Sequence, residues 1–148
     1  MTDFEKIIDF AIEREKSAIG FYQELQANAR FKAQVEVLKE FEMMEHGHVA
    51  LLENVKKREG FKEKASVQAN LNLSDYLVEH QPVADMSFQD ILTIAIKKEE
   101  RSMALYDRLA DEVEFSDAHN IFERLASEEA GHKHHFEHLY ETEISPDN

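Results

Sequence analysis

The sequence predicts an all-α fold, a four-helix bundle made of two repeated helix hairpins joined by a long crossover. Three observations carry that expectation. Only 4 Gly and 2 Pro punctuate the 148 residues, and Glu, Lys, Leu and Ala are abundant, a composition suited to long helices. Apolar residues recur three and four apart along four stretches, the period of a helix with one buried face. The two halves of the chain also align at a constant shift of 84 residues, with no gap.

Thr2-Asp3-Phe4-Glu5 reads as a capping box, with Thr2 as N-cap and Glu5 reaching back. From it Phe4, Ile7, Ile8, Ala11, Ala18, Tyr22 and Leu25 line one face out to about Ala27, interrupted by Glu15. After a break near Asn28–Lys32, a second helix is expected over about Ala33–Glu59. Its stripe is Val37, Leu38, Phe41, Met44, Leu51, Leu52 and Val55, Gly60 is its stop, and Glu45 and His48 interrupt it. Residues 60–86, with Asn70, Asn72 and Pro82, form the crossover, and Ser74 is a cap for a turn or two at Ser74–Val78. That span is long enough to run the length of a helix and return the chain to the same end. A third helix follows over about Ser87–Ala110, its stripe broken by Glu99. Ser116 caps a fourth, to Glu141, whose apolar face carries Glu129 and His132. The expected organisation is one domain over 1–148: hairpin 2–59, crossover 60–86, hairpin 87–141 and a short tail 142–148.

The repeat gives the polar interruptions their meaning. Random placement of 22 Glu and 8 His in 148 positions already yields about 1.2 Glu-x-x-His pairs, so the two pairs present, Glu45/His48 and Glu129/His132, say little alone. Both pairs, however, fall at the common shift, each with a further Glu 30 residues before it (Glu15, Glu99) and a Tyr seven residues after that Glu (Tyr22, Tyr106). Phe4 and Phe88, Ile7 and Ile91, Ala11 and Ala95, and Leu25 and Leu109 share the register. Glu and His three apart on a helix leave the same face. A carboxylate and an imidazole in an apolar stripe are costly unless something binds them.

Composition excludes several other chemistries. Cysteine is absent, which removes disulfides, thiolate zinc sites, cysteine-ligated iron–sulfur centres and thiol nucleophiles. A net charge of -14 repels phosphate backbones, so no nucleic-acid partner is expected. The N-terminus is acidic and amphipathic rather than signal-like, and no run of about 18 apolar residues offers a membrane span. A soluble cytoplasmic protein is the expectation.

Packed with their stripes inward, the hairpins bring together Glu15, Glu45, His48, Glu99, Glu129 and His132. Four carboxylates in a dry core cannot all stay ionised unaided, whereas two divalent cations with neutral imidazoles make the cluster electroneutral. Mixed oxygen and nitrogen donors suit iron or manganese, with zinc possible. Over both hairpins, through Glu15-(x6)-Tyr22, Glu45-His46-Gly47-His48, Glu99-(x6)-Tyr106 and Glu129-Ala130-Gly131-His132, the chain resembles a rubrerythrin-type ferritin-like di-iron carboxylate protein. The resemblance implies two iron ions bridged by Glu45 and Glu129. Glu15 and Glu99 would be terminal ligands, one His would serve each metal, and Tyr22 and Tyr106 would hydrogen-bond ligand carboxylates. Rubrerythrins carry one more Glu a turn after the third-helix ligand; here that position is Ser102 and its first-half counterpart is Ala18. The symmetric six-ligand set is closer to bacterioferritin.

The implied function is a di-iron oxidoreductase that reduces hydrogen peroxide or dioxygen. Full rubrerythrins feed their site from a four-cysteine rubredoxin-like domain, so this cysteine-free chain is expected to draw electrons from an external donor protein, as a homodimer. Ferroxidase activity with iron storage or handling is the alternative, and a non-catalytic metal-binding module is a further one. Among the remaining residues, His46, His119, His134 and His138 read as solvent-facing. His135 lies nearer the stripe, from where it would line the site. Met43, Met44 and Met103 read as core or near-core filler.

Overall fold

The computed structural model describes residues 3–58, 72–113 and 117–144. It is an all-α four-helix bundle: α1 (Asp3–Ala27), α2 (Val35–Lys57), α3 (Phe88–Glu112) and α4 (Asp117–Glu143). The expected capping residues Thr2 and Ser116, the Gly60 stop and Asn70 lie outside the described residues. Helix α1 packs mainly on α2, and α3 on α4, as two hairpins require.

Between α1 and α2 the chain does not simply break. Asn28 accepts the Arg30 backbone N–H on its side chain (2.9 Å) and starts a 3-10 turn over Ala29–Gln34, which delays α2 to Val35 instead of Ala33. The turn buries Phe31 completely, edge-on to Phe88 at 5.2 Å. In the crossover the expected Ser74 cap is replaced by Asn72. The turn there is 3-10, Leu73–Tyr76, and the Ser74 hydroxyl donates back to Asn72 Oδ1 at 2.7 Å. A further 3-10 turn, Val83–Asp85, leads into α3, and Arg30 donates to the Met86 carbonyl, tying the two connections together.

The apolar residues form two clusters, one toward each end of the bundle. One gathers Phe4, Ile8, Leu52, Leu105, Leu109 and Phe122, with Leu73 and Tyr76 of the crossover against it. The other gathers Leu25, Phe31, Leu38, Ile91, Phe136 and Leu139, with Val83 and Met86. The crossover therefore runs from one cluster to the other, along the length of the bundle. Burying each large apolar side chain contributes roughly 1.5–3 kcal/mol, and the sum offsets the cost of a polar layer at mid-height. Met43 is not core filler as expected: it is 66% exposed, whereas Met103 packs against the first cluster.

Helix α3 begins where the sequence places it because Ser87, extended at φ -69° and ψ 160°, accepts the Asp90 N–H on its hydroxyl at 3.1 Å. Ser87→Ala is expected to cost about 1 kcal/mol, lowering the calorimetric Tm by roughly 2–4 °C.

Candidate metal centre

Each of the four helices contributes to the polar layer: Glu15 from α1, Glu45 and His48 from α2, Glu99 from α3, and Glu129 and His132 from α4. All six side chains are at most 3% exposed. They form two overlapping groups, Glu15/Glu45/His48/Glu129 and Glu45/Glu99/Glu129/His132, with potential ligand atoms within 4.8 Å of one another in each group. Glu45 and Glu129 belong to both. His48 Nδ1 lies 3.4 Å from Glu15, 3.6 Å from Glu45 and 3.3 Å from Glu129. His132 Nδ1 lies 3.2 Å from Glu45, 3.5 Å from Glu99 and 3.8 Å from Glu129.

The hydrogen-bond inventory tests whether a metal pair suits this layer. Both oxygens of Glu45 and of Glu129, one oxygen each of Glu15 and Glu99, and Nδ1 of both histidines are buried without a hydrogen-bond partner. Stranded buried polar atoms are rare and expensive. Eight of them converge here, with two full carboxylates at the centre and one carboxylate oxygen and one imidazole nitrogen on each side. That donor set is compatible with two cations, which Glu45 and Glu129 would share.

The remaining oxygens of the outer carboxylates are occupied. Tyr22, on the first hairpin, donates its hydroxyl to Glu99 on the second, and Tyr106, on the second, donates to Glu15 on the first. Burial, then the nearby carboxylate charges, push both phenols well above their ordinary pKa, so they remain donors. Each ring is fixed by a stacked phenylalanine, Tyr22 on Phe136 at 6.0 Å and Tyr106 on Phe122 at 6.4 Å. Tyr22→Phe is expected to weaken metal retention about 10–100-fold, measured by competition with a chelator.

In the metal-free protein, protons take the place of cations. Burial opposes a charge on His132, but the close carboxylates of Glu45 and Glu99 raise it to about 9. His48 is raised in the same way, with burial again opposed by Glu45 and Glu128. Glu45 is held at about 2 despite burial by the two histidines beside it. Glu129, fully buried beside Glu99 and Glu45, is pushed well above the carboxylate range.

The rubrerythrin family model matches residues 6–140. The chain belongs to the rubrerythrin family. No curated protein and no solved structure matches it. The buried Glu and His groups are compatible with the di-iron centre that membership implies, and at the rubrerythrin extra-Glu position Ser102 accepts a hydrogen bond from Arg14 Nη2 at 2.7 Å. No helix among the described residues is long and apolar enough to cross a membrane.

Several residues around this rubrerythrin-family layer escape sequence reasoning. His48 Nε2 lies 3.2 Å from Glu128, itself held by Arg124 at 3.1 Å. At the corresponding place behind His132 Nε2 stands the Met44 sulfur, at 3.4 Å, so Met44 backs a site histidine as well as filling space. Met44 and Glu128 are repeat counterparts, and their mismatch one residue before each shared Glu is the available signal. Phe41 stacks on His132 at 4.0 Å. His135, expected to line the site, meets the edge of Phe41 instead and joins neither ligand group. His46, His134 and His138 are exposed. His119 is not simply solvent-facing, since its Nδ1 lies 2.6 Å from the Ala110 carbonyl.

Proposed function

We propose that the protein is a di-iron carboxylate oxidoreductase that reduces hydrogen peroxide or dioxygen with electrons from an external donor protein. The observation that carries the reading is the convergence of eight unpartnered, buried donor atoms in two groups sharing Glu45 and Glu129. Glu45 and Glu129 would bridge, Glu15 and His48 would complete one side, and Glu99 and His132 the other. When bound, an iron pair supplies two electrons between its diferrous and diferric states. The chain's own part is positioning and exclusion. Tyr22 and Tyr106 hold the outer carboxylates across the hairpin boundary, Glu128 and Met44 back the histidines, and the two apolar clusters keep bulk water from either end.

Ferroxidase activity tied to iron handling is the second reading. The observation in its favour is the symmetric six-residue set, with Ser102 and Ala18 where a seventh carboxylate would stand on either helix.

Anaerobic ferrous titration followed by peroxide or oxygen tests both. Uptake of iron, then reoxidation by peroxide within seconds with an oxo-bridge band in the near ultraviolet, is the expected result. Turnover only under excess ferrous iron and air, in an assembly of many subunits rather than a homodimer, favours the second reading. No uptake of iron or manganese overturns both.

A further inference from the structure

A cavity of about 200 Å³ opens between α1 and α3 beneath crossover residues Leu77 and Val78, and its inner wall reaches Glu99. Its polar wall holds two cations, Arg14 and Lys98, which are repeat counterparts facing each other across the two hairpins. Lys98 is 8% exposed, and among the described residues its ammonium donates to the Val78 carbonyl at 3.4 Å and lies over the face of Phe21 at 5.3 Å. Arg14 donates through Nη2 to the Ser102 hydroxyl at 2.7 Å and the Lys98 carbonyl at 3.1 Å, while its Nε is buried without a partner.

Neither cation forms an ion pair with a carboxylate among the described residues, in a chain carrying 31 acidic residues. Of the two acids that line the cavity, Glu99 is engaged by Tyr22 on one oxygen and turned into the metal centre with the other, and Glu13 is exposed and lies 3.9 Å from Lys16. Two sheltered like charges without a counterion are costly, and their partners here are neutral. Phe10, Ala18, Leu77 and Val78 supply the apolar part of the wall. Leu77, at 53% exposure, is one of two large apolar side chains left open to solvent among the described residues.

We propose that this cavity binds a small amphiphilic carboxylate, its head group on Arg14 and Lys98 and its hydrocarbon body against Phe10 and Leu77. Arginine is suited to the head, since the buried Arg14 Nε–H has no partner and a guanidinium N–H makes a strong charge-assisted bond to a carboxylate. A cavity of roughly 150 Å³ accommodates benzene, so the volume here suits an acid of benzoate or hexanoate size. The site adjoins the metal centre at Glu99 while its two cations belong to neither ligand group, and a ligand can be assayed whether or not metal is present.

The test uses the full chain, metal-free and iron-loaded, titrated with benzoate and hexanoate by calorimetry, with inorganic phosphate and benzyl alcohol as probes lacking one half of the ligand. Saturable one-to-one binding of both acids to both forms is expected. Arg14→Gln and Lys98→Gln should each weaken it by at least about tenfold, with Lys133→Gln as an unaffected surface control. Amide chemical-shift changes in the unmodified protein, confined to the neighbourhood of Phe10, Ser17, Val78 and Ser102, keep the test decisive if a variant fails to fold. Absence of saturable binding, equal binding of benzyl alcohol or phosphate, shifts elsewhere, or full affinity in both folded variants overturns the proposal. Because the metal-free arm stands alone, failure here is distinguishable from failure of the di-iron reading.

Discussion

Glu129→Ala is expected to leave a folded protein that no longer retains a pair of metal ions. Glu129 belongs to both groups of potential ligands, and both of its oxygens are unpartnered, so its loss removes a donor from each side at once. The companion Glu129→Gln separates ligand loss from structural damage. Burial, then Glu99 and Glu45, push the Glu129 pKa up in the metal-free protein, which favours the neutral acid, and a glutamine imitates that form in size and shape. The metal-free melting point of Glu129→Gln should therefore stay within about 1 kcal/mol of the parent, as a near-isosteric exchange allows. What disappears is the stabilisation by metal, about 2.7 kcal/mol per site at a hundredfold excess over Kd. Elemental analysis after desalting, with calorimetry in the presence and absence of ferrous or manganous ion, reads both effects. Retention of a metal pair by either variant would remove Glu129 from the proposed centre.

The second large effect is a divergence of metal-free and metal-loaded stability with pH. His132 rises from 6.5 to about 9 on folding without metal. A raised folded pKa contributes stability that is fully present below about pH 6.5 and is lost as pH climbs through about 9. Glu129, also raised, acts in the same direction, lending stability at low pH that is lost as pH rises through its folded value. Glu45 acts oppositely, but its contribution is complete above 4.5 and vanishes only as pH falls toward 2, so it is silent in this window. Between pH 6.5 and 9 the chelated protein should lose up to roughly 3 kcal/mol, a fall in Tm of about 10 °C. The loaded protein should hold or gain, because metal binding needs deprotonated ligands and strengthens as protons leave. Proton release on adding metal at neutral pH, followed with a pH indicator, checks the same linkage. A metal-free Tm that stays flat across the window contradicts it.

Much of this architecture is legible before any coordinates. The shift that pairs Phe4 with Phe88 and Glu15 with Glu99 specifies two like hairpins, and helical period fixes the buried faces. Residues at one depth of four such faces must then meet, which is why Glu15, Glu45, His48, Glu99, Glu129 and His132 end up together. Local structure follows from nearby residues where the chain itself supplies the partner, as the Ser87 hydroxyl does for the Asp90 N–H. Nearby residues are less informative where tertiary packing decides. The 3-10 turn at Ala29–Gln34 exists to seat Phe31 against Phe88, and no local pattern announces that. Met43 lies beside the stripe by spacing but points to solvent. Gly47 and Gly131 look like part of the motif, yet a Cβ at either would meet nothing within 4 Å, so packing does not require them. Arg14 and Lys98 read as ordinary charges on amphipathic helices, and only the crossover lying over them makes them a sheltered pair.

The mismatch behind the two histidines sets the halves of the centre apart. A duplicated hairpin would by itself furnish two equal seats, but a carboxylate stands behind His48 and a thioether behind His132. A carboxylate accepting the outer N–H makes an imidazole a stronger donor, and a thioether does so only weakly. The seats are thus ranked, with the His48 side expected to fill first. Stepwise cobalt titration should resolve two unequal affinities, and Glu128→Met, which gives both histidines the same backing, should draw them together. The repeat places two like seats, and one differing residue in each half, Met44 against Glu128, would order their filling.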